Sequence, residues 1–188
     1  MPMKQSALFY HHQRAGAIFG ESHGWQLPEA FTTPEAEEAH VEQFVGLADL
    51  SYRAKFETSS EPETHGWRLA EGRYLVIGDP PVEAPSGAIE ITSVYANVLL
   101  AGPTSRDVMS KLSSLNTSDA SLPNRSCGQA GVGHIHAIVL RDDLPRVPAY
   151  HILITRDYAE SFWEAVMHAG EEFGIRPFGW SALARLRG

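Results

Sequence analysis

Residues 95–116, YANVLLAGPTSRDVMSKLSSLN, decide the fold class. Val98, Leu99, Leu100 and Ala101 form an apolar run of strand character, and Gly102-Pro103 stops it. Thr104, with Asp107 three residues on, has the spacing of a capping box that opens a helix. That helix is expected to reach about Leu115, with Val108, Leu112 and Leu115 on its apolar stripe. A second strand and helix follow at 150–155 and 157–173, the helix carrying Tyr158, Phe162, Val166 and Met167 on its buried side. Between the units, HIHAIVLR at 134–141 is a further strand. The order β, α, β, β, α over 89–188 is that of a split βαβ, ferredoxin-like α+β sandwich, with helices on one face of a mainly antiparallel sheet.

Composition bounds the function classes. A chain of 188 residues with 43% hydrophobic content can bury a core as one domain or two small lobes. A formal charge of −8, without clustered Lys and Arg, argues against a nucleic-acid surface. Cys127 is the sole cysteine, which excludes a disulfide framework and a thiolate metal cluster; it reads as a small hydrophobe rather than a nucleophile. With no run long enough to span a bilayer and no signal-peptide core at the start, a cytoplasmic protein that avoids membranes is expected.

Working outward, residues 16–31 read as a Gly/Pro loop that packs Phe19, Trp25, Leu27 and Phe31. His11, His12 and His23 lack an acidic or thiol partner at a recognisable spacing, so no metal is expected there. Thr33-Pro34 starts a helix, with Glu35, Glu37 and Glu38 set against its dipole rather than paired for catalysis, Val41, Phe44 and Val45 on the buried side, and Gly46 as the stop. Asp49 and Ser51 read as turn formers. In the strand after them Ala54, Phe56 and Thr58 alternate with Lys55 and Glu57.

Several segments, in order, resemble the glycine-cleavage T-protein (aminomethyltransferase) and its folate-binding relatives. These are SALFYHHQRAGAIFG, GWQLPEAF and EEAHVEQFVGLADLSYRAKFE, then EITSVYANVLLAGPTSRDVMSKL, and YHILITRDYAESFWEAVMHAGEEFGIRPFGWSALARLR at the end. The resemblance covers about four-fifths of the chain. It implies a reduced first T-protein-like lobe over 1–85 and a second over 86–188, packed as one compact unit. It also implies tetrahydrofolate as a possible cofactor and a role in one-carbon metabolism. The family's catalytic carboxylate belongs to a segment that has no counterpart between Glu57 and Ile89, so no catalytic residue is carried over. Asp79, between Gly78 and Pro80, reads as a turn residue. Val147 stands about where the family has its pterin-holding Glu, Arg53 where it has the Met of its turn, and Arg187 where it has the Arg that pairs with that Glu. Arg187 is therefore the one candidate cofactor-binding residue.

The chain also resembles the gamma subunit of heterotetrameric sarcosine oxidase, through CGQAGVGHIHAIVLRDDLPRVPAYHILITRDYAESFWEAV in its second half. The combined expectation is a non-catalytic subunit without the terminal barrel, bound to a partner subunit or to itself through apolar surface at Phe173, Ile175, Phe178 and Trp180. The alternative is a reduced tetrahydrofolate-binding protein or an active aminomethyltransferase-like enzyme. His134, His136 and His151 would make a metal site only if strand register brought them together. Trp25, Trp67, Trp163 and Trp180 read as core and loop anchors rather than a cage, and no phosphate-loop or nucleophile-elbow pattern occurs.

Overall fold

Residues 3–63 and 65–188 are described by the computed structural model. The first half contains β1 (Lys4–Gln5), α1 (Phe9–Arg14), β2 (Ile18–Ser22), β3 (Trp25–Ala30), α2 (Pro34–Gln43), β4 (Gly46–Asp49), β5 (Ala54–Thr58), β6 (Trp67–Ala70), β7 (Arg73–Gly78) and β8 (Ile89–Glu90). The second contains β9 (Tyr95–Ala101), α3 (Ser105–Leu112), β10 (Cys127–Val132), β11 (Ile135–Arg141), β12 (Ala149–Thr155), α4 (Ala159–Gly170), β13 (Arg176–Pro177) and α5 (Trp180–Leu186). Short 3₁₀ turns at Arg156–Tyr158 and Glu171–Phe173 extend α4 at both ends.

The central sheet has six strands in the order β10-β11-β12-β9-β4-β13, antiparallel except for the β4–β13 pair. β9 and β12 are neighbours, with Val98 opposite Ile152 and Leu100 opposite Tyr150. α3 and α4 cover one face, where Val98, Leu100, Ile152 and Ile154 pack against Val108, Met109, Phe162 and Val166 in one buried cluster. The α+β sandwich expected from the alternation of strands and helices is present. A four-stranded sheet (β6-β7-β5-β8) and a three-stranded one (β1-β3-β2) complete the architecture.

The structure differs from several local expectations. Residues 46–49, which the sequence places in a loop, form β4, an inner strand between β9 and β13, and the turn formed by Asp49 and Ser51 follows it. Gly46 begins the strand because a Cβ there would sit 2.5 Å from Val41 and 2.6 Å from the Phe178 ring. Residues 18–30 form the β2–β3 hairpin, its turn made by His23 and Gly24, both at positive φ. The glycine-rich CGQAGV is the edge strand β10, joined to β11 through Gly133 and His134 at positive φ. Poor β-propensity hid that strand, since hydrogen bonds to β11 rather than side-chain packing hold it. Thr104 adopts φ −94°, ψ 10° instead of an extended cap conformation, and its hydroxyl makes no capping bond. Thr33 does cap α2, accepting from the Ala36 N–H at 3.3 Å. On α4 it is Trp163, not Tyr158, that joins the buried side, and Phe44 beyond α2 is exposed. Ile175 and Phe178 are buried within the chain, and Phe173 and Trp180 are half-buried, so these four do not form an open apolar patch.

Candidate functional site

The face of the central sheet away from α3 and α4 carries two apolar clusters. One joins Leu99 and Ala101 to α5 and Tyr52; the other joins Ile138, Leu140 and Leu153 to Trp67 and Leu75 of the four-stranded sheet. Asn97 on β9 and His151 on β12 point to this same face and are buried. Polar groups therefore run through a region whose two flanks are apolar.

The turn after β4 builds most of this network. Asp49 Oδ1 accepts from the Ser51 N–H at 3.0 Å and the Ser51 hydroxyl at 2.6 Å; Oδ2 accepts from the Ser6 hydroxyl at 2.6 Å and faces His12 Nε2 at 3.2 Å. Burial pushes the Asp49 carboxyl up, but the bonds and charge of His12, with those of Ser51 and Ser6, leave it below its ordinary value. The Asn97 N–H donates to Ser51 Oγ at 3.2 Å, which locks the turn onto β9. His151 Nδ1 lies 3.3 Å from Asn97 Oδ1, and its Nε2 lies 3.3 Å from Arg53 Nη1. With Nδ1–H donating to the amide oxygen and Nε2 accepting from the guanidinium, the ring is neutral. Burial, then the charges of Arg53, Arg187 and Lys55, hold His151 well below its ordinary pKa.

Lys55, expected on the outer side of its strand, is fully buried. Its ammonium donates to the Ser51 and Arg53 carbonyls at 3.0 and 2.9 Å, closing the turn from beneath. Burial lowers its pKa to about 7, with Asp49 opposing and Arg53 reinforcing the shift. Alternation in the sequence could not reveal this, because β5 is covered on both sides.

The network ends at Asp79, just past β7. Tyr52 donates its hydroxyl to Asp79 Oδ1 at 2.7 Å, Arg53 Nε stands 3.1 Å from the same oxygen as an ion pair out of line for a hydrogen bond, and Arg187 Nη1 donates to Oδ2 at 2.9 Å. Burial raises the Asp79 carboxyl, yet Arg53, Tyr52 and Arg187 bring it below its usual value; burial also pushes the Tyr52 phenol up. Beside this carboxylate a surface cavity of about 220 Å³ is lined by His23, Tyr52, Asp79, Trp180, Leu183 and Arg187. The His23 ring lies parallel to Tyr52, with centroids 6.0 Å apart.

Arg187 thus sits at a carboxylate, one supplied by residue 79 and not by the position before β12. Val147 is buried and bridges Leu144 in the loop that leads into β12. α5 brings Arg187 here by burying Ala182, Leu183 and Leu186. The start of α5 is fixed by Glu37, which accepts from the Gly179 N–H at 2.8 Å and from Phe31 and Thr32 N–H at 2.6 and 2.7 Å. Glu37 is therefore a bracket between β3 and α5 more than a partner of the α2 dipole.

Other sequence candidates stay apart. His136 lies along β11 from Leu140, the residue opposite His151, and His134 is in the turn, so the three imidazoles do not converge. Trp67 and Trp163 are buried in different clusters, while Trp25 and Trp180 pack against a third, so no cage forms. The Cys127 thiol reaches the Arg68 carbonyl, and burial raises its pKa.

The most concentrated charge at this face is thus a partly buried carboxylate between two arginines. The chain belongs to the family of the GCVT N-terminal domain, whose model matches residues 83–188. An aminomethyltransferase of Halothermothrix orenii is 24% identical across 98% of this chain and 64% of its own length, so the chain spans less than two thirds of that relative. The crystal structure of glycine cleavage system aminomethyltransferase T from Bartonella henselae has the same fold (TM-score 0.77, 16% identity, 98% of this chain and 62% of that one). Heterotetrameric sarcosine oxidase from Corynebacterium sp. U-96 contains a chain that matches with TM-score 0.59 and 12% identity, over 76% of this chain and 95% of that one.

Tetrahydrofolate, implied by the resemblance, meets a poor fit at this cavity. Each Asp79 oxygen already accepts a hydrogen bond from the chain itself, so a pterin would have to share or displace those donors. The volume of about 220 Å³ also falls below the ~300–1,000 Å³ usual for cofactor sites. No helix among the described residues is long and apolar enough to cross a membrane.

Proposed function

We propose that this chain is a subunit built on the T-protein fold, without aminomethyl transfer activity of its own, which works through a partner protein in a sarcosine oxidase-type or other folate-linked one-carbon system. The observation that carries this reading is the internal neutralisation of Asp79. A general base needs an oxygen free to reach the substrate and a pKa near the working pH. Asp79 has Tyr52 and Arg53 on one oxygen, Arg187 on the other, and a carboxyl held below its ordinary value. Arg187 in this reading closes the site and does not grip a ligand.

The match to nearly all of one chain of a heterotetrameric oxidase supports a subunit role. The lobes 1–85 and 86–188 are proposed to act as one body, since β4 is hydrogen-bonded between β9 and β13. The test is to assay the purified chain with tetrahydrofolate and an aminomethyl donor, and to co-express it with flavin-containing amine oxidase subunits. No turnover, no saturable tetrahydrofolate binding and a stoichiometric complex are expected. Turnover by the chain alone that disappears in Asp79→Asn would overturn the reading, whereas tetrahydrofolate binding without turnover would favour a reduced folate-binding protein.

A further inference from the structure

His11 on α1 meets two glutamates on α4. Its Nδ1 lies 3.7 Å from Glu160 Oε1 and 3.9 Å from Glu164 Oε1, and one ligand atom from each of the three residues lies within 4.8 Å of the other two. Glu160 and Glu164 share a helix face because they are four residues apart. The adjacent His12 is fully buried with its ring edge-on to Trp163, centroids 4.7 Å apart, which fixes α1 over α4.

We propose that His11, Glu160 and Glu164 form a binding site for a divalent first-row transition cation, with Zn²⁺ as the probe. One imidazole nitrogen and two carboxylate oxygens are ligand types Zn²⁺ takes, whereas Mg²⁺ and Ca²⁺ prefer oxygen alone. Donors about 2.1 Å from a common ion stand roughly 3–3.5 Å apart, so the two His11–glutamate spacings need to close by a few tenths of an ångström, and the two carboxylates, within 4.8 Å of each other, by at most about 1–2 Å. Both glutamates are exposed, which leaves their side chains room to make that adjustment.

A second observation at the same place points to a ligand. A cavity of about 270 Å³ opens beside His11 and Glu164, lined also by His12, Trp163, Met167 and His168. His12 in its wall faces the Asp49 carboxylate through Nε2. The His12 Nδ1 is buried and has no partner among the described residues. Water bound to an ion at His11 can partner that nitrogen, and the cavity gives it room. Arg14 now pairs with Glu160 Oε1, so a positive group already occupies the position and the ion must displace it.

Zn²⁺ is titrated calorimetrically into the full chain near neutral pH, beside four variants whose circular dichroism and metal-free melting are checked first. Saturable one-to-one binding is expected in the wild type. It should weaken by about tenfold or more in His11→Ala and in Glu164→Gln. Arg14→Ala removes the competing guanidinium and should tighten binding about threefold, while His168→Ala should leave it unchanged and Mg²⁺ should not compete. The absence of saturable binding would reduce the cluster to exposed ion pairs. Binding that survives His11→Ala, or is lost only in His168→Ala, would place the ion elsewhere and equally overturn the assignment.

Discussion

The two faces of the central sheet are held by different physics. On the side of α3 and α4, alternate residues of β9 and β12 meet helix side chains in a continuous apolar cluster, where stability comes from burial and packing. On the other side Asn97, His151, Arg53 and Lys55 form a polar seam between two apolar clusters, and their order depends on hydrogen bonds that must all be made. The first face gains from every methylene buried. The second risks an unpaired charge or amide at each position and so fixes the turn at 49–53 in one geometry.

Truncating the apolar face is the severest way to break this contrast. Phe162→Ala removes a fully buried ring packed beneath β9 and β12 and is expected to lower the unfolding free energy by about 3–5 kcal/mol. Urea denaturation would measure it, and a loss under about 1 kcal/mol would mean that the cluster collapses to fill the gap.

The seam should reveal itself through pH instead. Lys55 holds its proton less firmly folded, at about 7, than unfolded, at the usual 10.5. Between those values the unfolded chain carries more protons, so stability rises with pH by up to about 1.4 kcal/mol per unit. The window best read is pH 7 to 9, because above it Cys127 and Tyr52, whose folded values are raised, begin to act in the opposite sense. His151, also depressed, extends the same trend downward: as pH falls below about 6.5 the unfolded chain takes up a proton that the folded chain refuses. Thermal melts of the wild type and Lys55→Met across this range should differ in slope, with the variant flat from 7 to 9. Parallel slopes would remove Lys55 as the cause.

The smallest effect belongs to the rim of the seam. Arg187→Ala deletes a half-exposed ion pair and should change stability by no more than about 1 kcal/mol. It should nevertheless raise the pKa of Asp79, which NMR titration of the carboxyl would detect. An unmoved Asp79 would mean that Arg53 and Tyr52 alone hold its charge.

The apolar face is legible in the sequence itself. The run from Val98 to Ala101, the Gly102-Pro103 stop and the helical spacing of Val108, Phe162 and Val166 place strands and helices within a few residues of their observed bounds, because local periodicity records which side of an element is buried. Thr33-Pro34 marks the start of α2 for an equally local reason, a side chain meeting its own helix. Tertiary structure alone decides the seam. Lys55 and Glu57 look alike in an alternating strand, yet only Lys55 lies under the 49–53 turn, and nothing near Asp79 in the chain announces Arg187. The same holds for Glu37, whose carboxylate binds the backbone of Gly179, and for His11, which finds its glutamates across two helices. Each of these joins segments far apart in sequence, through charge and hydrogen-bond geometry that neither propensity nor spacing encodes. Which partners such groups find is set when the sheet closes and brings β4, β9 and α5 together.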